Sequence, residues 1–231
     1  AVTAAIAFGL GVLSRPVLSK LAGRLASHAS SGARNEVAPF DPLRFARKAS
    51  QFAELPASNK TIEFLGDSRI EDGNWSELLD SCHVSNRGIG GDTTSGIVER
   101  LASTGGAEGG WCVIQAGIND LSQGGTIETV ADNYRRIIDH LVQSARMRVL
   151  VTSVILVGNE HAALNAKIAA CNRALAEVAA ARGSVWLDVN QALCPRGFLS
   201  PEYSNDGVHL NGKAYLQLRD LLAPILTAEQ T

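Results

Sequence analysis

Thr61-Ile-Glu-Phe-Leu65 runs directly into Gly66-Asp67-Ser68. The first five residues read as a strand, and the next three as the turn that ends it. Working outward, the same alternation recurs. His83-Val-Ser-Asn86 reads as a weaker strand, Trp111-Cys-Val-Ile-Gln-Ala116 as a third, Arg148-Val-Leu-Val-Thr-Ser153 as a fourth and Val185-Trp-Leu-Asp188 as a fifth. Helical periodicity fills the gaps. Ile127, Val130, Tyr134, Ile137, Ile138 and Leu141 recur at three- and four-residue spacing, with Thr126 placed to cap the start. Leu164, Ile168, Cys171, Leu175 and Val178 form a second stripe that ends near Gly183, and Tyr215, Leu218, Leu222 and Ile225 form a third. Strands separated by helices pair in parallel through right-handed crossovers. The expected fold class is therefore α/β, three layers with about five parallel strands.

That architecture says where chemistry belongs. In an open α/β sheet, ligands bind beyond the carboxyl ends of the strands. Gly66-Asp67-Ser68 follows the first strand, Gly88-Ile-Gly-Gly-Asp92 the second and Gly117-Ile-Asn-Asp120 the third, so three glycine-rich polar loops converge on one edge. Ser68 at a strand-to-helix turn can present its hydroxyl together with its own backbone N–H. A serine hydroxyl is a weak nucleophile until a base removes its proton. His209, in Asn205-Asp-Gly-Val-His-Leu-Asn211, supplies that base, and Asp206 lies one turn earlier, where its carboxylate can fix the imidazole tautomer. Gly91 and Asn119 are candidate oxyanion donors, one through a backbone N–H unobstructed by a Cβ, the other through a side-chain amide. Taken singly, each has an ordinary explanation: a helix cap, a loop histidine bound to a nearby carboxylate, turn glycines, a turn asparagine.

Gly66-Asp67-Ser68, Gly91, Gly117-x-Asn119-Asp120 and Asp206-x-x-His209 occur in the order of the four sequence blocks of the SGNH (GDSL-type) hydrolases. The chain resembles that family over roughly residues 61–222. Asn86-Arg-Gly-Ile-Gly-Gly-Asp-Thr-Thr94, followed by Arg100-Leu101, is similar to the branch that includes platelet-activating-factor acetylhydrolase catalytic subunits and bacterial relatives. The resemblance implies a flavodoxin-like sheet and a serine ester hydrolase. It implies Ser68 as nucleophile, His209 as base and Asp206 as its partner. The Ser68 and Gly91 N–H groups and the Asn119 side chain would form the oxyanion hole, with no metal and no organic cofactor. Two positions depart from the family pattern. Arg69 follows the serine where an aliphatic residue is more frequent, and it is expected to border the site. Ala214 stands where glycine is frequent before Tyr215.

The leading expectation is hydrolysis of short acyl, acetyl-like esters through an acyl-serine intermediate. Acyl transfer to a second alcohol uses the same residues. A non-catalytic binding module on the same fold is disfavoured by the intact set of five. Small-molecule, glycan and lipid esters all remain open as substrates, and so does the oligomeric state.

Three parts of the chain are expected. Residues 59–231 form the hydrolase domain. Residues 27–58, rich in small and polar residues with Pro39, Pro42 and Pro56, read as a connecting segment with one helix near 43–55. Residues 1–26 open with an uncharged, mostly apolar stretch over 1–13 that is shorter than the roughly 20 residues of a spanning helix. It reads as a signal core or part of a membrane anchor, which favours export or membrane association over a cytoplasmic location. An amphipathic helix packed on the domain is the alternative. Net charge is −2, from 21 basic and 23 acidic residues, so no basic surface points to nucleic acid. The four cysteines include no CxxC pair, which argues against a zinc site and a disulfide framework. Cys112 and Cys171 are expected in the core.

Overall fold

The structure is a computed structural model that describes residues 41–55 and 60–227. The apolar stretch over 1–26 lies outside the described residues, as does the part of the connecting segment before residue 41. Five strands form the sheet: β1 (Ile62–Gly66), β2 (Val84–Gly88), β3 (Trp111–Gln115), β4 (Arg148–Thr152) and β5 (Val185–Leu187). Their order is β2-β1-β3-β4-β5 and every pairing is parallel, with Gly66 opposite Gly88 on one side and Gln115 on the other. All five lie where the sequence pattern predicts, within two residues at each end.

The helices are α1 (Pro42–Glu54), α2 (Ser68–Glu71), α3 (Trp75–Leu78), α4 (Thr94–Glu99), α5 (Ile118–Ser122), α6 (Ile127–Gln143), α7 (Asn165–Ala181), α8 (Asn190–Leu193) and α9 (Gly212–Thr227). Local chemistry sets their starts. Asp41 caps α1 by accepting from the Leu43 and Arg44 N–H groups, with Pro42 in the first turn. Thr126 caps α6 through the Thr129 N–H at 3.1 Å. Asn211 accepts from the Lys213 and Ala214 N–H groups at the start of α9.

Side chains alternate across each strand, so a sheet covered on both faces needs apolar residues at nearly every position. Leu65, Cys112, Ile114, Val149 and Val151 pack against Val130, Tyr134, Ile137 and Leu141 of α6 and Ile168, Cys171 and Leu175 of α7. Ile62, Phe64, Trp111, Val113 and Leu150 face the other way, onto Trp75, Leu193, Tyr215, Leu218 and Leu222. Phe64 and Trp75 stack with centroids 4.0 Å apart, and Tyr215 meets Trp75 edge-on at 5.6 Å. Cys112, Cys171 and Cys194 are buried free thiols, and Cys82 is an exposed one.

Buried polar residues interrupt the apolar pattern at Glu63, Arg87, Gln115 and Thr152. Glu63 is fully buried in β1, where its carboxylate faces Arg87 at 3.6 Å and accepts from the Gly105 N–H at 3.1 Å. Burial raises its pKa, against the opposing pull of the Gly105 N–H, Arg87 and Arg100. The guanidinium groups of Arg87 and Arg100 lie over the Phe52 ring, at 5.0 and 5.9 Å, so this buried polar cluster extends from the sheet to α1.

Candidate active site

Strand β1 ends at Gly66, Asp67 caps α2 through the Arg69 N–H at 3.0 Å, and Ser68 is the first residue of that short helix. Asn86 of β2 holds the far end of α2: its side-chain NH₂ donates to the Ile70, Glu71 and Gly73 carbonyls. A four-residue helix that is weak alone is thereby fixed to the sheet. Ser68 is half-buried.

Asp206 and His209 meet as their spacing predicts. His209 Nδ1 lies 2.7 Å from Asp206 Oδ2, while Asp206 Oδ1 accepts from the Val208 and His209 N–H groups at 2.8 and 2.7 Å. Partial burial would raise the Asp206 pKa, but the His209 ring and these two N–H groups outweigh it and hold the carboxyl far below its usual range. The carboxylate therefore stays ionised and keeps its hold on Nδ1, leaving Nε2 unengaged by Asp206.

One side chain ties this loop to the Ser68 helix. Arg69, next in sequence to the serine, donates from Nε to the Val208 carbonyl at 2.9 Å and from Nη1 to the Ile155 carbonyl at 2.6 Å. Asp72, at the end of α2, has its pKa raised by burial and feels the opposing charge of His209. Among the described residues, no hydrogen bond joins Ser68 Oγ to His209. Such bonds are often long before substrate binds and tighten in the complex. Arg69 lies against the site from within the protein. Its side chain is 1% exposed, with Tyr215 Oη donating to its carbonyl at 2.9 Å, so it is an internal clamp and not part of the substrate surface. Ala214, the other departure, is fully buried at the start of α9.

The candidate oxyanion donors collect at the ends of β1, β2 and β3. Gly91 has φ +76°, a conformation that glycine adopts without strain. Among the described residues, neither the Gly91 N–H nor the Ser68 N–H has an acceptor. Asn119 is 2% exposed on α5, and its Nδ2 donates one hydrogen to the Asp92 carbonyl at 2.8 Å, leaving the second free. Each of the three candidate donors thus has an N–H to spare, which is what an oxyanion donor needs.

A layer beneath these residues was not legible as a site. Asp92 pairs with Arg100 at 2.8 Å, and Arg100 reaches the Gly66 carbonyl at 3.2 Å. Asp120 accepts from the Thr94 N–H and hydroxyl, at 2.9 and 2.7 Å. Glu71 accepts from the Gly90 N–H at 2.6 Å and pairs with Arg44 at 2.8 Å. Asp92 and Arg100 stood within a recognisable block, whereas nothing in the sequence connects Arg44 to Glu71. Among the described residues, no group of three or more His, Cys, Asp or Glu side chains is placed to hold a metal ion. No described helix is long and apolar enough to cross a membrane.

A parallel sheet bearing a serine at the end of its first strand and an Asp–His pair ahead of its last helix defines the SGNH class of hydrolase fold. Residues 64–216 match the model of the GDSL-like Lipase/Acylhydrolase family, about two thirds of the chain, and the chain belongs to that family of carboxylic ester hydrolases. Solved structures agree in fold. A protein from Streptococcus pneumonia named for platelet activating factor superposes with TM-score 0.73 at 23% identity, covering 92% of this chain and 100% of its own. A GDSL-like lipase from Bacteroides thetaiotaomicron gives 0.67 at 23% identity, over 79% of this chain and 96% of its own. Axe2, an acetylxylan esterase from Geobacillus stearothermophilus, gives 0.60 at 16% identity, over 75% and 96%. No curated protein matches the chain in sequence.

Proposed function

We propose that the chain hydrolyses short-chain, acetyl-like carboxylic esters through an acyl-serine intermediate on Ser68. The observation that carries this reading is the Asp206–His209 contact of 2.7 Å on a loop tied to the Ser68 helix through Arg69. Ser68 Oγ attacks the ester carbonyl carbon while His209 Nε2 takes its proton. The carbonyl oxygen gains negative charge and is met by the Ser68 and Gly91 N–H groups and the Asn119 amide. The intermediate collapses, the carbon–alkoxy bond breaks, and His209 protonates the leaving alcohol. Water then gives a proton to His209 and attacks the acyl carbon. The acid leaves and Ser68 Oγ recovers its hydrogen. Asp206 stays ionised throughout and stabilises the imidazolium formed at each step.

The preference for short acyl groups is supported by where the apolar side chains go. Ile70, Ile89, Ile118, Leu121 and Val208 flank the site in sequence, yet each is 4% exposed or less and packs into the core. Closed acyl tunnels are lined by such side chains facing the substrate. An acetyl ester of a good leaving alcohol, with release of acetate and alcohol followed in wild type, Ser68→Ala and His209→Ala, tests the reading. Turnover in wild type alone is expected. Equal turnover in all three would overturn it.

A further inference from the structure

Helix α1 precedes the segment matched by the family model, which begins at residue 64. It nevertheless reaches the loop that carries Gly91 from both sides. On one side, Glu71 Oε2 accepts from the Gly90 N–H at 2.6 Å and from Arg44 Nη2 at 2.8 Å, while Lys48 lies 3.4 Å from Glu71 Oε1. The Glu71 side chain is only 9% exposed, so this carboxylate is held between the loop and two cations of α1. Arg44 Nη1 sits so close to Gly90 that a Cβ there would collide with it. On the other side, Phe52 packs under Arg87 and Arg100, Arg100 pairs with Asp92 at 2.8 Å, and the Asp92 carbonyl receives the Asn119 amide at 2.8 Å.

Residues 89–93 are thus pinned at Gly90 by one end of α1 and buttressed at Asp92 by the other. Gly91 lies between the two points, and the peptide joining Gly90 to Gly91 carries the free N–H. Glu71 holds the Gly90 N–H and so fixes the Ile89–Gly90 peptide, with Arg44 stiffening that hold; the Gly90–Gly91 peptide is anchored at its leading end. Oxyanion donors act by being aimed beforehand at where the charge will develop, so a small misalignment is costly in rate. We propose that α1 aligns the oxyanion hole, with Arg44 and Glu71 as positioning residues that act through Gly90 on the Gly91 N–H. The inference rests on the reading of Ser68, Gly91 and Asn119 given above. It makes residues 41–55 part of the working enzyme, although they precede the domain the sequence blocks mark out.

The test uses the full chain and 4-nitrophenyl acetate. Wild-type turnover that Ser68→Ala abolishes establishes the underlying reading; its absence would overturn that reading and the inference together. Given that turnover, Arg44→Ala should lower kcat roughly tenfold and Glu71→Ala by roughly 10–10²-fold, with KM within about twofold of wild type. Arg44→Lys, which restores the cation but not the planar fork, should recover part of the loss. Arg44 is half-exposed, so Arg44→Ala removes no buried group and its folding can be verified by Tm. A wild-type kcat in Arg44→Ala, whether or not Tm falls, would overturn the proposal and leave α1 a purely structural element.

Discussion

Arg69 Nε donates to the Val208 carbonyl at 2.9 Å, so the residue that follows the candidate nucleophile holds the residue that precedes the candidate base. Its Nη1 holds the Ile155 carbonyl at 2.6 Å, while its Nη2 is buried without a partner. Arg69→Met should leave both carbonyls unpartnered, at roughly 1–3 kcal/mol each, offset in part by the apolar fit of the new side chain. If the clamp sets the distance from His209 to Ser68, kcat should also fall, by about 10²-fold for a displacement on the order of 1 Å. Steady-state kinetics beside urea denaturation separates the two effects. A destabilised variant with wild-type kcat would show that Arg69 stabilises the fold without aligning the site.

Asn119 has one amide hydrogen on the Asp92 carbonyl and one to offer. Asn119→Ala should lower kcat by roughly 10²–10³ with little change in KM, because the donor matters mainly in the transition state. An unchanged kcat would remove Asn119 from the oxyanion hole.

Asp67 gives a pH signature of its own. Full burial pushes its pKa up to about 6 from 3.8, against the pull of Arg69 and the Arg69 N–H, with Asp92 and Asp120 adding to the rise. Between those values the folded chain binds more protons than the unfolded one. The stability this group contributes is complete below pH 3.8 and is lost as pH rises through about 6. The loss is on the order of 3 kcal/mol. Asp67→Asn keeps an acceptor for the Arg69 N–H but has no proton to lose. Denaturant titrations at pH 4, 5, 6 and 7 should show wild type losing stability relative to the variant over that range. Parallel curves would mean that Asp67 titrates normally.

Much of this fold was legible from the chain because burial on both sheet faces leaves short apolar runs that only strands explain. The least regular of them, His83-Val-Ser-Asn86, is also the strand with the most polar residues: Ser85, Asn86 and Arg87 of β2 serve the Glu63 cluster and the α2 anchor instead of the apolar core. Ser68, Gly91, Asn119, Asp206 and His209 are legible because they fall in four ordered blocks at strand ends and ahead of the last helix, whereas none is distinctive alone. The support beneath them did not stand out. Arg44 and Glu71, or Arg69 and Val208, are joined only when the fold brings distant segments together, and no periodicity or local spacing encodes such contacts. The inward course of the Arg69 side chain is hidden from the sequence in the same way, since its partners Val208 and Ile155 lie 139 and 86 residues further on.

Acyl length offers a further check. With flanking apolar residues committed to the core, kcat/KM should fall beyond about four to six carbons, whereas a real tunnel would gain about 0.8 kcal/mol per buried methylene. A series of 4-nitrophenyl esters from acetate to dodecanoate, measured below the micelle concentration, decides between them. A rise through twelve carbons would contradict the short-acyl reading.

The identity of the nucleophile is tested most directly by trapping it. Wild type, Ser68→Ala and His209→Ala are incubated with a serine-directed organophosphonate, then weighed intact and digested for peptide mass spectrometry. One adduct per chain, confined to the peptide containing Ser68, absent in Ser68→Ala and formed far more slowly in His209→Ala, is the predicted result. An adduct on another residue, or ester hydrolysis that persists in Ser68→Ala, would contradict it.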